Sequence, residues 1–259
     1  MTGLLIDVWA HTNGEVDDSF FTKWHGVWYS GATAYSAFIL FALWRLAEAS
    51  PKITPSGLWE FATNVPKGYG APVAGIAIFG FSGFADMLWH SFFGIEGGLD
   101  ILLSPSHLGL LIGLILTVMA PVFSGWQDPL SGKDGLTSQL VLIFGLAAAW
   151  VPILLITGQW DIFQLEIADY CYLGNNCGPG YEDSLAIGVI ASMVPTTIAT
   201  GLILTFARRW TPAPGAMLVL FLFWGMSNYA MENLDASYIY YGFIIGILVE
   251  ILSHFFLRC

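Results

Sequence analysis

Asp86 and His90 stand four residues apart inside a long apolar stretch, and His107 follows at the start of the next one. Residues four apart on a helix project from one face, one turn above the other. An ionisable residue in such a helix is strongly disfavoured unless it is paired, protonated or bound to a cation. One carboxylate and two imidazoles are a ligand set for a transition metal, with copper, zinc and iron among the candidates. These residue types at this spacing point to a metal site. A hydrogen-bonded structural cluster is the competing reading, and an ion or proton pathway is the third.

His107 meets the pair only if a turn brings it there. Ser104-Pro105-Ser106-His107 reads as a helix start, with Ser104 as N-cap and Pro105 in the first helical position. His107 then lies in the first turn. The connection Gly94-Ile95-Glu96-Gly97-Gly98-Leu99-Asp100 is short, so the two helices are antiparallel neighbours and His107 faces His90 at one depth.

Further polar side chains belong to the same end of the molecule. His25 opens the first span, with His11, Asp17 and Asp18 just before it. Glu232 and Asp235 join the last two spans, and Asn228 lies one turn below Glu232. Glu96, Asp100, His25 and Glu232 are expected to orient the ligands or move protons. The plainer alternative makes His25 an interfacial histidine among Trp24, Trp28 and Tyr29, and makes the acids solvated loop residues or caps. Glu250 and His254 fall at the opposite end, where an inner-side polar pair is expected.

The elements that must position these groups follow from composition. Of 259 residues, 56% are hydrophobic and only 10% charged, against about 25% charged in soluble domains. Lipid must therefore be the main solvent. Runs of about 20 apolar residues predict an all-α bundle of seven transmembrane helices over 26–47, 72–93, 106–126, 137–157, 184–207, 213–231 and 236–257. The sixth is the shortest. The linker 48–71 is expected at the membrane surface, with a short amphipathic turn around Leu58, Trp59 and Phe61. No internal repeat is expected, and the first residues carry no signal-peptide pattern.

Cytoplasmic loops hold the lysines and arginines. With the N-terminus outside and the C-terminus in the cytoplasm, Arg45, Lys52, Lys67, Lys133, Arg208, Arg209 and Arg258 all fall inside, and only Lys23 falls outside. The expected location is the plasma or inner membrane of the cell. The outer loop 158–183 carries Cys171 and Cys177, whose spacing suits a disulfide in an oxidising compartment. Cys259, at the inner end, is expected to be reduced. A net charge of −11 argues against a nucleic-acid partner.

The stretch Asp86-Met87-Leu88-Trp89-His90, followed by Leu103-Ser104-Pro105-Ser106-His107, resembles the C subunit of the copper membrane monooxygenases, the particulate methane and ammonia monooxygenases. That resemblance covers about 22 of the 259 residues. It implies an intramembrane copper site formed by an Asp, a His four residues later, and a second His opening the next helix after a Thr-Pro-type turn. Sixteen residues lie between His90 and His107, a few more than in that family, and the seven-span layout is not that of the C subunit. The N-out, seven-span topology also resembles the alkaline ceramidase-like hydrolases, whose zinc is held by three His and helped by an Asp and a Ser. Ser82 precedes Asp86 on one face, but the place of that family's His pair on the last span is taken by Glu250 and His254, on the inner side. A microbial rhodopsin is excluded, because no lysine follows Lys133.

The leading expectation is a copper-binding membrane protein of oxidoreductase or monooxygenase type, acting on a small apolar or uncharged substrate. Asp86, His90 and His107 would be its ligands. A transporter or channel using Asp86 as relay comes second. A zinc-dependent hydrolase, or an accessory subunit of an oligomer or larger membrane complex, follows.

Overall fold

In lipid, a segment must satisfy its own backbone N–H and C=O groups, and a long apolar run does so as a helix. The structure is a computed structural model. It describes residues 1–15, 20–46, 54–94, 104–128, 130–133, 135–157, 181–231 and 234–256, apart from the side chains of 12, 62, 63 and 181–187. Among the described residues there are ten helices and no strand. They are α1 Thr2–Thr12, α2 Lys23–Leu46, α3 Pro55–Thr63, α4 Gly70–Phe93, α5 Pro105–Val118, α6 Ala120–Gln127, α7 Leu136–Thr157, α8 Tyr181–Arg209, α9 Ala216–Met231 and α10 Ser237–Phe256.

Five of these, α2, α4, α7, α8 and α10, are long and apolar enough to cross a membrane, and α5 with α6 makes a sixth if the pair is one span. The expected span 106–126 is thus broken. Its halves meet at Met119 and are bent by 40°. Pro121 explains the break, since it has no N–H to continue the helical ladder. α9 has 16 residues, a rise of about 24 Å, short of the roughly 30 Å of a hydrocarbon core. The expected surface turn at Leu58–Phe61 is α3, capped by the Thr54 hydroxyl, which accepts from Gly57 N–H. α1 had no counterpart among the expected helices.

α4 packs along α5, α5 on α7, α7 on α9 and α9 on α10. Small residues allow the close crossings. A Cβ on Gly113 of α5 would lie 2.6 Å from the backbone nitrogen of Phe79 in α4, and one on Gly75 of α4 would lie 2.7 Å from the Gly113 carbonyl. The α9–α10 contact is built alike: a Cβ on Gly225 would lie 2.6 Å from the Tyr238 carbonyl. α1 runs antiparallel to the start of α2, with Gly3 against Trp28 and Trp9 edge-on to Trp24, and it also touches α9.

The larger apolar core joins α7, α8 and α9 around Leu146, Trp150, Phe206, Met217 and Trp224. Where α7 begins, the Gln139 amide donates to the carbonyls of Gly132 and Thr211 and its oxygen accepts from Ala213 N–H. Glu250 accepts from Met217 N–H at the start of α9, while His254 is exposed. Glu250 and His254 are thus a helix cap and a surface histidine. Cys171, Cys177 and Cys259 lie outside the described residues.

Replacing Gly113 with Ala forces α4 and α5 apart, whereas Gly201, on α8, has open space at its Cβ position. Thermal unfolding in detergent should show Gly113→Ala destabilised by about 1–3 kcal/mol and Gly201→Ala unchanged or slightly more stable.

Candidate metal centre

Asp86 lies seven residues before the end of α4, about 10 Å below it, and is fully buried. Its carboxylate is held from two neighbouring helices. The Tyr29 hydroxyl of α2 donates to Oδ2 at 2.8 Å, and the Ser106 hydroxyl of α5 donates to Oδ1 at 3.0 Å. Oδ1 is 3.1 Å from His107 Nε2 and 3.6 Å from His90 Nε2. One ligand atom from each of Asp86, His90 and His107 lies within 4.8 Å of the others, and all three residues are buried. His107 of α5 thus lies against the Asp86–His90 face of α4.

Local structure turns both histidines inward. Ser104 caps α5 as expected: its hydroxyl accepts from His107 N–H at 3.3 Å. The same oxygen lies 2.9 Å from His107 Nδ1 and 3.1 Å from the Ser106 hydroxyl. A run of hydrogen bonds therefore leads from His107 Nδ1 through Ser104 and Ser106 to the carboxylate. On α4, His90 Nδ1 donates to the Gly94 carbonyl at 3.2 Å. That bond fixes the ring so that Nε2 faces Asp86. His90 Nε2 is buried and has no hydrogen-bond partner. A ring nitrogen held by an outer partner, with its other nitrogen pointing inward, is the arrangement that orients imidazole as a ligand.

His25 does not sit in an aromatic belt at the interface. It is 2% exposed, and its ring centroid is 5.9 Å from that of His90. Its Nδ1 donates to the Phe20 carbonyl at 2.7 Å, and its Nε2 is 3.2 Å from His11 Nε2 and 3.6 Å from Asp7 Oδ2. Asp7, His11 and His25 form a second group with ligand atoms within 4.8 Å of one another. The packing of α1 against α2 is what brings Asp7 into this group.

The sequence carries one signal of this second group. Asp7-x3-His11 is followed by Thr22-x2-His25, and Asp86-x3-His90 is followed by Ser104-x2-His107. In both, a hydroxyl residue caps the second helix and accepts from the backbone N–H of the histidine; Thr22 does so for His25 at 3.0 Å.

Of the other expected site residues, Glu96, Asp100 and Glu232 lie outside the described residues, as do Asp17 and Asp18. Asn228 is buried and donates to the Trp224 carbonyl of its own helix. Asp235 is exposed and accepts from Ser237 N–H at the start of α10, which holds its carboxyl below the usual range.

Compared with protein-family models, with curated proteins and with solved structures, the chain matches none of them.

Ser104 serves both the helix end and the histidine ring. Ser104→Ala should lower stability by about 1 kcal/mol, the usual loss at an N-cap. Denaturant titration of the protein in mixed micelles measures it, and an unchanged midpoint would show that the cap is dispensable.

Proposed function

We propose that this chain is an integral membrane metalloprotein that holds a transition metal, copper in the first place, between Asp86, His90 and His107. The observation that carries this reading is His90 Nε2. It is buried, without a hydrogen-bond partner, and faces a carboxylate oxygen 3.6 Å away. That separation is too long for a hydrogen bond. A metal with bonds of about 2.0–2.1 Å spaces its ligand atoms roughly 3.3 Å apart in a tetrahedron, close to the 3.1 Å and 3.6 Å found here.

Copper bound at this point would supply redox chemistry with dioxygen, and three protein ligands leave coordination positions open. The chain's own groups do the rest. Tyr29 and Ser106 hold the Asp86 carboxylate in place, and the Nδ1 contacts of His90 and His107 fix their rings. A cavity of about 470 Å³ lies between α2 and α4, lined among others by Phe20, His25, Gly26, Tyr29, Gly83 and Met87. Gly26 and Gly80 on its rim are exposed, so it opens sideways toward lipid. Tyr29, whose hydroxyl holds the Asp86 carboxylate, lines this cavity, so a small apolar or uncharged molecule dissolved in the membrane would come within one side chain of the metal centre there. Oxidation of such a molecule, of the monooxygenase type, is the activity the arrangement favours.

A transport pathway would need polar groups below Asp86. The interior there is Phe79, Leu110 and Leu114. Ser82 is packed against Gly109, and the Thr117 hydroxyl donates to the carbonyl of Gly113 on its own helix. Glu250 is committed to α9. Among the described residues these contacts give no chain of polar side chains leading from Asp86, which disfavours a conduit, and the far placement of Glu250 and His254 disfavours a ceramidase-type zinc site.

The same reading includes seven crossings of the plasma or inner membrane, with α9 as the sixth. α2 begins at the outer face and α10 ends in the cytoplasm. The support is the charge distribution, which puts seven of the eight basic residues inside.

Metal analysis of the purified chain beside the His90→Ala, His107→Ala double variant tests the centre. The variant should lose at least one equivalent of copper while remaining monodisperse. Equal metal content in both would rule the site out.

A further inference from the structure

We infer that α1 carries a second metal site, Asp7–His11–His25, set beside the first so that the two form a paired-metal centre. The second site stands on its own ligand geometry; only the pairing rests on the reading of Asp86, His90 and His107 as a metal site.

Protons alone leave this cluster badly served. Asp7 is 3% exposed. Its Oδ1 has no hydrogen-bond partner, and its Oδ2 has only His25 Nε2 at 3.6 Å and His11 Nε2 at 4.0 Å. A buried carboxylate without a donor is costly. His25 Nδ1–H donates to Phe20, which leaves the Nε2 lone pair pointing inward. That nitrogen meets His11 Nε2 at 3.2 Å. One shared proton could join the two rings, but it would leave Asp7 with nothing. His11 Nδ1 is likewise buried without a partner. A single cation gives a partner to Asp7 Oδ2 and to the Nε2 atoms of His11 and His25 at once. The ligand atoms lie 3.2, 3.6 and 4.0 Å apart, again near the roughly 3.3 Å edge of a tetrahedral site.

The repeated motif is an independent argument. In each half, Asp and His four apart end one helix, and a hydroxyl-capped His opens the next. In each half the histidine of the second helix has its Nδ1 tied outward, to Phe20 or to Ser104, and its Nε2 turned toward the Asp. Two copies of one ligand design would have the same metal preference. The copies are adjacent: His25 and His90 rings are 5.9 Å apart, and Phe20 packs on both, at 5.2 Å and 6.1 Å.

The experiment loads the full-length chain with copper alone, removes free metal and counts copper per chain. Wild type should hold two. Asp7→Asn with His11→Ala should hold one, His90→Ala with His107→Ala should hold one, and all four changes together should hold none. A wild-type count of one that survives Asp7→Asn with His11→Ala overturns this inference and leaves the Asp86 site standing. A count of one lost only with Asp7→Asn and His11→Ala keeps the α1 site, overturns the pairing and removes the Asp86 reading. No copper in wild type overturns both. A second measurement needs no variant. Electron paramagnetic resonance of the oxidised wild type should show a half-field signal from two nearby copper ions. An uncoupled spectrum integrating to one spin per chain overturns the pairing.

Discussion

A fully buried carboxylate inside an apolar bundle is a constraint that the surrounding helices must answer together. Asp86 takes a hydroxyl from α2, another from α5, and imidazoles from α4 and α5. None of those partners is close in sequence except His90. The placement of Tyr29 and Ser106 therefore fixes how α2 and α5 sit around α4. Removing one partner leaves part of a buried polar group unsatisfied, which is more costly than losing an exposed ion pair.

The same demand recurs at Asp7. α1 is only 11 residues long, too short to be stable alone in water, so its helix depends on packing. Gly3 lets its backbone approach Trp28, and the approach carries Asp7 and His11 to His25. Four histidines and two aspartates from four helices thus converge on one region near a common end of the bundle. Such a concentration of titratable side chains inside an apolar bundle is costly, and that cost is what motivates the proposed metal centre.

The remainder of the molecule behaves as support. The α7–α8–α9 core is apolar, and its polar groups are spent on backbone atoms: Gln139 on the α8–α9 connection, Glu250 on the start of α9. Rigid packing there matters to the site because α5 rests on α7. The bend at Met119 turns α6 along α7 and leaves α5 free to hold its first turn against α4.

Much of this was legible in the residues themselves. Apolar runs and sparse charge are local properties, so the helical membrane class and nearly every helix could be read directly. The Asp86–His90 face and the Ser104 cap follow from helical periodicity and capping chemistry, which act within a few residues. His107 followed because a short connection leaves two helices little choice but to lie side by side. Tertiary structure alone decided the rest. Asp7 and His11 look like ordinary polar residues of a leading segment until α1 packs on α2 and takes them out of water. His25 looks like an interfacial aromatic neighbour until that packing buries it beside His90. Those roles depend on contacts between helices, and burial between helices is set by how their surfaces fit, which no local pattern of residues encodes.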